Sequence, residues 1–180
     1  IAHSYIDALS AIGIETIKFQ YHIAEAESST NEEFRINFSY QDKTRFDYWK
    51  RISFSFEDWV SLKNHCDEVG VEFMCSPFSC KAVDKLEKLE IKRYKIGSGE
   101  LTNNLILDKI GMTKKPIILS TGMADEKEIR QAFENVNKYI DDITILQCTS
   151  RYPTNMNEIG IEYMDRLRRQ YKTKTGLSDH

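Results

Sequence analysis

Short β-branched runs alternate with longer amphipathic segments along the whole chain, and this alternation restricts it to architectures built on a parallel sheet. The runs fall at 15–19, 71–75, 93–96, 116–119, 143–146 and 175–177. Each reads as a strand. Between them, helical spacing is clearest over 56–69 and over 125–139, where Ile129, Ala132, Phe133 and Val136 recur at intervals of three and four. Weaker helical patterns occupy 81–89, 103–110 and 158–171. Asp125 with Glu128 three residues on reads as a capping box. Gly70 and Gly111 are read as the residues that end the helices before them by taking positive φ.

Parallel strands need right-handed crossovers, so repeated βα units close into a barrel or wind into an open doubly wound sheet. No GxGxxG or GxxxxGK[ST] follows any strand, which removes the support for a Rossmann or P-loop nucleotide site and favours the barrel. The segment 21–55 breaks the pattern: it is polar and aromatic without clear periodicity, and reads as a long loop, either solvated or acting as a lid.

The composition agrees with one α/β core. In 180 residues, 41% are hydrophobic and no apolar stretch approaches the roughly 18 residues of a membrane span. With 25 Lys and Arg against 28 Asp and Glu there is no basic excess for nucleic acid or an anionic membrane surface, and neither partner is expected. Cys66, Cys75, Cys80 and Cys148 form no CxxC pair and lack metal-ligand spacing, so they read as free thiols, most simply buried. No basic segment followed by an apolar run and a cleavage site opens the sequence, and a cytoplasmic location is expected.

Polar residues gather just after the apolar runs. Lys18 and Gln20 follow Ile17, Ser76 follows Cys75, and Lys95, Ser98 and Glu100 surround Ile96. Ser120 and Thr121 follow Leu119, Thr149 and Ser150 follow Leu146, and Ser178, Asp179 and His180 follow Leu177. In a barrel the C-terminal strand ends form one rim, which is where such enzymes place their chemistry. Two lysines, several hydroxyls and glycines at 97, 99 and 122 make a donor-rich basin suited to phosphate and carboxylate oxygens. Glu100 reads either as a general acid or base or as a helix N-terminal carboxylate, and His180 as a metal ligand. His3, His22 and His65 lack ligand spacing and receive no role.

The segments Ile17-Lys18-Phe19-Gln20, Cys75-Ser76-Pro77-Phe78, Tyr94-Lys95-Ile96-Gly97-Ser98-Gly99-Glu100, Ile118-Leu119-Ser120-Thr121-Gly122-Met123-Ala124, Gln147-Cys148-Thr149-Ser150-Arg151-Tyr152-Pro153 and Gly176-Leu177-Ser178-Asp179-His180 together resemble the sialic acid synthases, a family that includes legionaminic acid and spore-coat polysaccharide synthases. The resemblance implies a (β/α)8 TIM barrel that condenses phosphoenolpyruvate with an N-acylated hexosamine such as N-acetylmannosamine and releases phosphate. It also implies a divalent Mn2+ or Mg2+ ion and a homodimeric full-length protein. By the same resemblance, Lys18, Lys95, Ser98, Ser120 and Ser178 hold phosphoenolpyruvate, with Ser76 and Ser150 nearby. Gln20 and Tyr152 face the sugar, Glu100 acts in proton transfer or holds the reacting hydroxyl, and His180 is one of two metal histidines.

The pattern has departures. Gln147 stands where the family usually has His, and Gly97-Ser98-Gly99-Glu100 differs from the Ala-Ser-Phe-Glu type of segment in pseudaminic acid synthases, which makes that branch less expected. A complete barrel takes about 250 residues, so residues 1–180 are expected to form a partial catalytic domain of about six βα units. The first strand, with a catalytic Glu, would precede it, and a second metal His and an antifreeze-like domain would follow it. This stretch by itself is expected to be inactive, with open sheet edges prone to aggregation. The alternatives are a pyruvate aldolase forming a Schiff base at Lys95 on the same barrel, or a non-catalytic binding module or paralogue.

Overall fold

A computed structural model describes residues 1–34, 36 and 38–180; Arg35 and Asn37, within the 21–55 segment, lie outside the described residues. The chain divides into two compact units, Ile1–Ile91 and Lys92–His180.

The first unit runs α1 (Ala2–Ala11), β1 (Thr16–Tyr21), α2 (Ala24–Glu27), α3 (Arg45–Ile52), α4 (Phe56–Glu68), β2 (Glu72–Pro77) and α5 (Cys80–Lys88). The two strands pair in parallel with Thr16 opposite Glu72, Lys18 opposite Met74 and Gln20 opposite Ser76. Strand side chains alternate between faces. One face therefore carries Ile17, Phe19, Tyr21 and Phe73, and it meets Trp59 of α4. The Tyr21 ring stacks on Trp59 with centroids 4.7 Å apart, and Phe19 meets Phe73 at 5.2 Å. The opposite face carries Lys18, Gln20, Met74 and Ser76.

Helix α4 starts where its sequence demands. The Ser55 side chain accepts from the Asp58 amide while Asp58 accepts from the Ser55 amide, and Gly70, at φ +75°, terminates the helix. His65 lies 2.6 Å from Asp7 and edge-on to His3, so these two histidines join α1 to α4.

The second unit runs β3 (Tyr94–Ile96), a 3₁₀ turn (Ser98–Glu100), α6 (Asn104–Gly111), β4 (Ile117–Ser120), α7 (Glu126–Asn137), β5 (Ile143–Cys148), a second 3₁₀ turn (Met156–Glu158), α8 (Ile161–Tyr171) and β6 (Lys174–Ser178). Its four strands are parallel and pair in chain order. Tyr94, Ile96, Ile117, Leu119, Ile143 and Ile145 are almost completely buried, as are Ile106, Leu107, Ile110 and Val136 of the helices. Each such side chain removed from water contributes about 1.5–3 kcal/mol, which makes this layer the core of the unit. The register places Lys95, Ile118, Ser120, Leu146, Cys148, Gly176 and Ser178 on the other face. Helix α7 has the capping box expected of Asp125 and Glu128.

All six predicted strands are present, the fifth extended by two residues to Cys148. Three expectations are corrected. The 21–55 segment is not a plain loop: it contains α2 and α3, with Thr44 capping α3, Arg51 forked onto Asp42 and Arg45 paired to Glu32. Gly111 does not end its helix by positive φ. It lies in the last turn of α6, where a Cβ would come within 2.5 Å of the Tyr139 ring, so close packing is what requires glycine there. The last helix begins at Ile161 rather than at Glu158, because Gly160 takes φ +71° and redirects the chain. All four cysteines are free; Cys66, Cys75 and Cys148 are buried and Cys80 is half-buried. Burial pushes the Cys66 thiol up to about 11 and Cys75 well above its ordinary range, which keeps both as thiols. No helix among the described residues is long and apolar enough to cross a membrane.

Candidate active site

In the first unit Lys18, Gln20 and Ser76 lie on the face of β1 and β2 turned away from Trp59. Lys18 is solvent-exposed, yet the protein packed around its ammonium disfavours the charged form and lowers its pKa. The Ser76 hydroxyl differs in kind: the residue is 2% exposed and its Oγ has no hydrogen-bond partner among the described residues.

In the second unit the site is built around Gly122. Its amide donates to Ser98 Oγ at 3.1 Å, and Ser98 Oγ lies 3.6 Å from Cys148 Sγ. Cys148 Sγ is in turn 3.6 Å from His180 Nε2, which also meets Tyr152 OH at 3.2 Å and Ser178 Oγ at 3.5 Å. The Tyr152 and His180 rings pack with centroids 4.3 Å apart, and the His180 carbonyl accepts from the Thr154 amide at 2.8 Å. Five predicted residues, Ser98, Ser150, Tyr152, Ser178 and His180, thus converge on one rim. Ser150 belongs to it because a Cβ at Gly122 would lie 2.6 Å from its Oγ.

Lys95 and Ser120 project from the same sheet face. Ser120 is 1% exposed and its Oγ, like that of Ser76, has no partner among the described residues. Glu100 sits in the 3₁₀ turn after β3 and accepts from Asn103 Nδ2 at 2.9 Å, while Asn103 caps α6. It therefore steadies a helix start and stays at the rim.

The hydroxyls at strand ends fall into two groups. Thr121 Oγ1 donates to the Leu146 carbonyl and Thr149 Oγ1 to the Glu158 carbonyl, so both serve the backbone. Ser76 and Ser120 bond to nothing among the described residues. More than 90% of buried polar groups in folded proteins are paired, and leaving one unpaired costs about 1–3 kcal/mol. Two such hydroxyls, at the ends of β2 and β4, are thus left without a partner among the described residues.

Sequence reasoning missed several contributors. Gln147, left without a role, lies on the helix face, where its Nε2 donates to the Ile159 carbonyl at 3.1 Å and Gly160 leaves it room. Cys148 bridges Ser98 and His180, for which the signal in the sequence was its place between Gln147 and Thr149 after the fifth strand. The His22 ring lies between Trp49 and Phe78, with centroids at 3.7 and 4.0 Å, and its Nδ1 is 2.7 Å from Glu27 Oε2, an environment its sequence spacing did not announce.

As a metal site, this rim offers one imidazole, a thiol and neutral hydroxyls. No group of three His, Cys, Asp or Glu that could hold a metal gathers among the described residues. Mn2+ and Mg2+ favour several carboxylate, imidazole or water ligands, and this donor set falls short of a centre.

Parallel βα units with polar strand ends define the class first: an α/β enzyme fold of the TIM-barrel type. Solved structures agree. A sialic acid synthetase from Leptospira borgpetersenii superposes with a TM-score of 0.85 at 24% identity, over 99% of this chain and 59% of that one. A truncated 3-deoxy-D-arabino-heptulosonate 7-phosphate synthase from Thermotoga maritima superposes at 0.70 with 13% identity, over 98% and 57%.

Residues 5–180 match the NeuB family, and the chain belongs to it. An N,N'-diacetyllegionaminic acid synthase from Legionella pneumophila is 31% identical over all of this chain and 53% of its own length. One from Campylobacter jejuni is 32% identical over all of this chain and 56% of its own. The chain spans about half the length of these relatives.

Proposed function

We propose that this chain is part of a nonulosonic acid synthase that condenses phosphoenolpyruvate with an N-acylated hexosamine such as N-acetylmannosamine, for a surface polysaccharide. The observation that carries the reading is the pair of buried, partnerless hydroxyls, Ser76 and Ser120, each on the strand face that also bears a lysine. A hydroxyl donor beside an ammonium suits an anionic oxygen. Phosphoenolpyruvate carries a phosphate and a carboxylate. Lys18 and Lys95 would supply charge, and Ser76, Ser98, Ser120, Ser150 and Ser178 would supply directed donors. The Gly122 amide holds the Ser98 hydroxyl in place. Gln20 and Tyr152 would face the sugar.

In the reaction, C3 of phosphoenolpyruvate bonds to the aldehyde carbon of the open-chain sugar, whose oxygen takes up a proton. Water adds at C2 and phosphate leaves. Glu100, steadied by Asn103, would hold the reacting hydroxyl or move its proton. His180 would offer one imidazole to a divalent ion, whose other ligands the described residues do not supply.

The test is phosphate release by the full-length protein with Mn2+. Release that requires both phosphoenolpyruvate and an N-acylated sugar is the expected result. Release without sugar, or none with a panel of N-acylated mannosamines and di-N-acylated relatives, overturns the reading.

A further inference from the structure

The connection between β5 and α8 carries Tyr152, whose ring packs on His180 with centroids 4.3 Å apart and whose hydroxyl lies 3.2 Å from His180 Nε2. Tyr152 is 74% exposed, and every residue from 149 to 158 is half-buried or exposed. A buried ring is held by close packing on every side. Tyr152 lacks that support, so polar bonds within the loop hold it instead.

Those bonds converge on Glu158, the last residue of the second 3₁₀ turn. Its carboxylate accepts from Arg151 Nη1, at 2.6 Å through one oxygen and 2.9 Å through the other, and from Asn155 Nδ2 at 3.1 Å. Arg151 precedes Tyr152 and Asn155 follows it, so one carboxylate clasps the chain on both sides of the ring. The Glu158 carbonyl accepts from Thr149 Oγ1 at 2.7 Å, which ties the far end of the loop back to the residue just past β5. Thr154 completes the closure: its hydroxyl donates to the Arg151 carbonyl at 2.7 Å and its amide to the His180 carbonyl at 2.8 Å.

An ion pair this exposed adds little to global stability. Its effect is on geometry: a loop ordered before the ligand arrives removes an entropic cost from the binding step. We propose that Glu158 is a positioning residue, which through Arg151 and Asn155 holds Tyr152 against His180 in readiness for the sugar. The proposal rests on the synthase reading, in which Tyr152 faces the sugar, and adds the group that acts on the sugar through Tyr152. Phosphoenolpyruvate lies outside its reach. Ser98 is held by the Gly122 amide, Ser120 and Ser178 belong to β4 and β6, and Ser150 adjoins the Thr149 bond, which goes to the Glu158 main chain and survives loss of its carboxylate.

The experiment is steady-state phosphate release by the full-length protein with Mn2+, varying N-acetylmannosamine, a di-N-acetylated hexosamine and phosphoenolpyruvate in turn, with Tm measured alongside. Glu158→Ala should raise the KM of the accepted sugar about tenfold, the amount that one lost hydrogen bond corresponds to. The KM of phosphoenolpyruvate and Tm should stay close to the parent's, a selectivity that a merely structural role would not produce. Arg151→Ala, which opens the clasp from the other side, should show the same selectivity. Tyr152→Ala should raise the same KM, and adding Glu158→Ala to it should change nothing more, because both act through one contact. A sugar KM equal to the parent's in Glu158→Ala, or effects that multiply in the double variant, overturns the positioning role while leaving the synthase reading in place. Should Glu158→Ala lower Tm and weaken both substrates, the fold is damaged and Arg151→Ala decides by the same criteria. A parent protein that releases no phosphate with any of the sugars overturns the synthase reading, and the role of Glu158 falls with it.

Discussion

Replacing Gly122 by alanine places a methyl group 2.6 Å from Ser150 Oγ, 2.7 Å from Cys148 Sγ and 3.0 Å from the Cys148 carbonyl oxygen. Ser150 is exposed and can rotate away. Cys148 cannot, because it is buried, its Sγ contacts Ser98 and His180, and its carbonyl belongs to β5. The chain after β4 must therefore move, which lengthens the 3.1 Å bond from the Gly122 amide to Ser98 Oγ. Overpacking of this kind costs about 1–3 kcal/mol and the weakened hydrogen bond about 1 kcal/mol. Reduced unfolded-state freedom returns about 0.4–1 kcal/mol. The net loss is about 1–3 kcal/mol, or about 2–4 °C in Tm per kcal/mol for a domain of this size.

Gly97→Ala is the matched control: a Cβ there meets nothing within 4 Å, and φ is −67°. It should hold or slightly raise Tm. Thermal unfolding of the full-length protein separates the two substitutions, and calorimetry with phosphoenolpyruvate adds a second reading, since Gly122→Ala displaces Ser98 and Ser150 together. Gly122→Ala with Tm and phosphoenolpyruvate affinity both equal to the parent's would refute the argument that this rim is built on close backbone approach.

Two further outcomes follow from the same geometry. Ser76→Ala and Ser120→Ala remove buried hydroxyls that bond to nothing among the described residues, so each should leave Tm unchanged or raise it while lowering phosphoenolpyruvate affinity about tenfold; a fall in Tm with affinity intact would assign them to the fold instead. Lys18 has its pKa lowered from 10.5 by the protein packed around its ammonium, so the folded chain binds fewer protons than the unfolded one between the lowered value and 10.5. Stability contributed by this group therefore rises with pH across that window, and the cost of desolvating the ammonium is fully present below it. Anion binding needs the charged amine and runs the other way: phosphoenolpyruvate affinity should decline with pH before the ordinary lysine range, and Lys18→Arg should remove that part of the decline. A pH profile identical in the arginine variant would place the titration elsewhere.

Much of the architecture was legible in local pattern. The alternation of apolar runs with amphipathic segments located all six strands, because a side-chain period of two and one of about 3.6 are properties of neighbouring residues. The capping box at Asp125 and the stop at Gly70 are local for the same reason. So is the gathering of polar residues after each strand, which points to Ser98, Ser150, Ser178 and His180 of the rim, whereas Tyr152 came only from the family resemblance.

Tertiary structure decided what each polar residue at the rim does. Thr121 and Ser120 are adjacent and chemically alike, yet one hydroxyl bonds to Leu146, 25 positions away, and the other is left open. Gln147 and Cys148 are likewise adjacent, and strand alternation sends one to the helices and the other to the rim. His22 shows the largest gap between sequence and structure. Nothing in its neighbourhood of the sequence announces Trp49 on one side of its ring and Phe78 on the other. Periodicity says which face a residue occupies, whereas partners contributed by distant segments decide whether its hydrogen-bonding capacity is satisfied within the chain or left for a ligand.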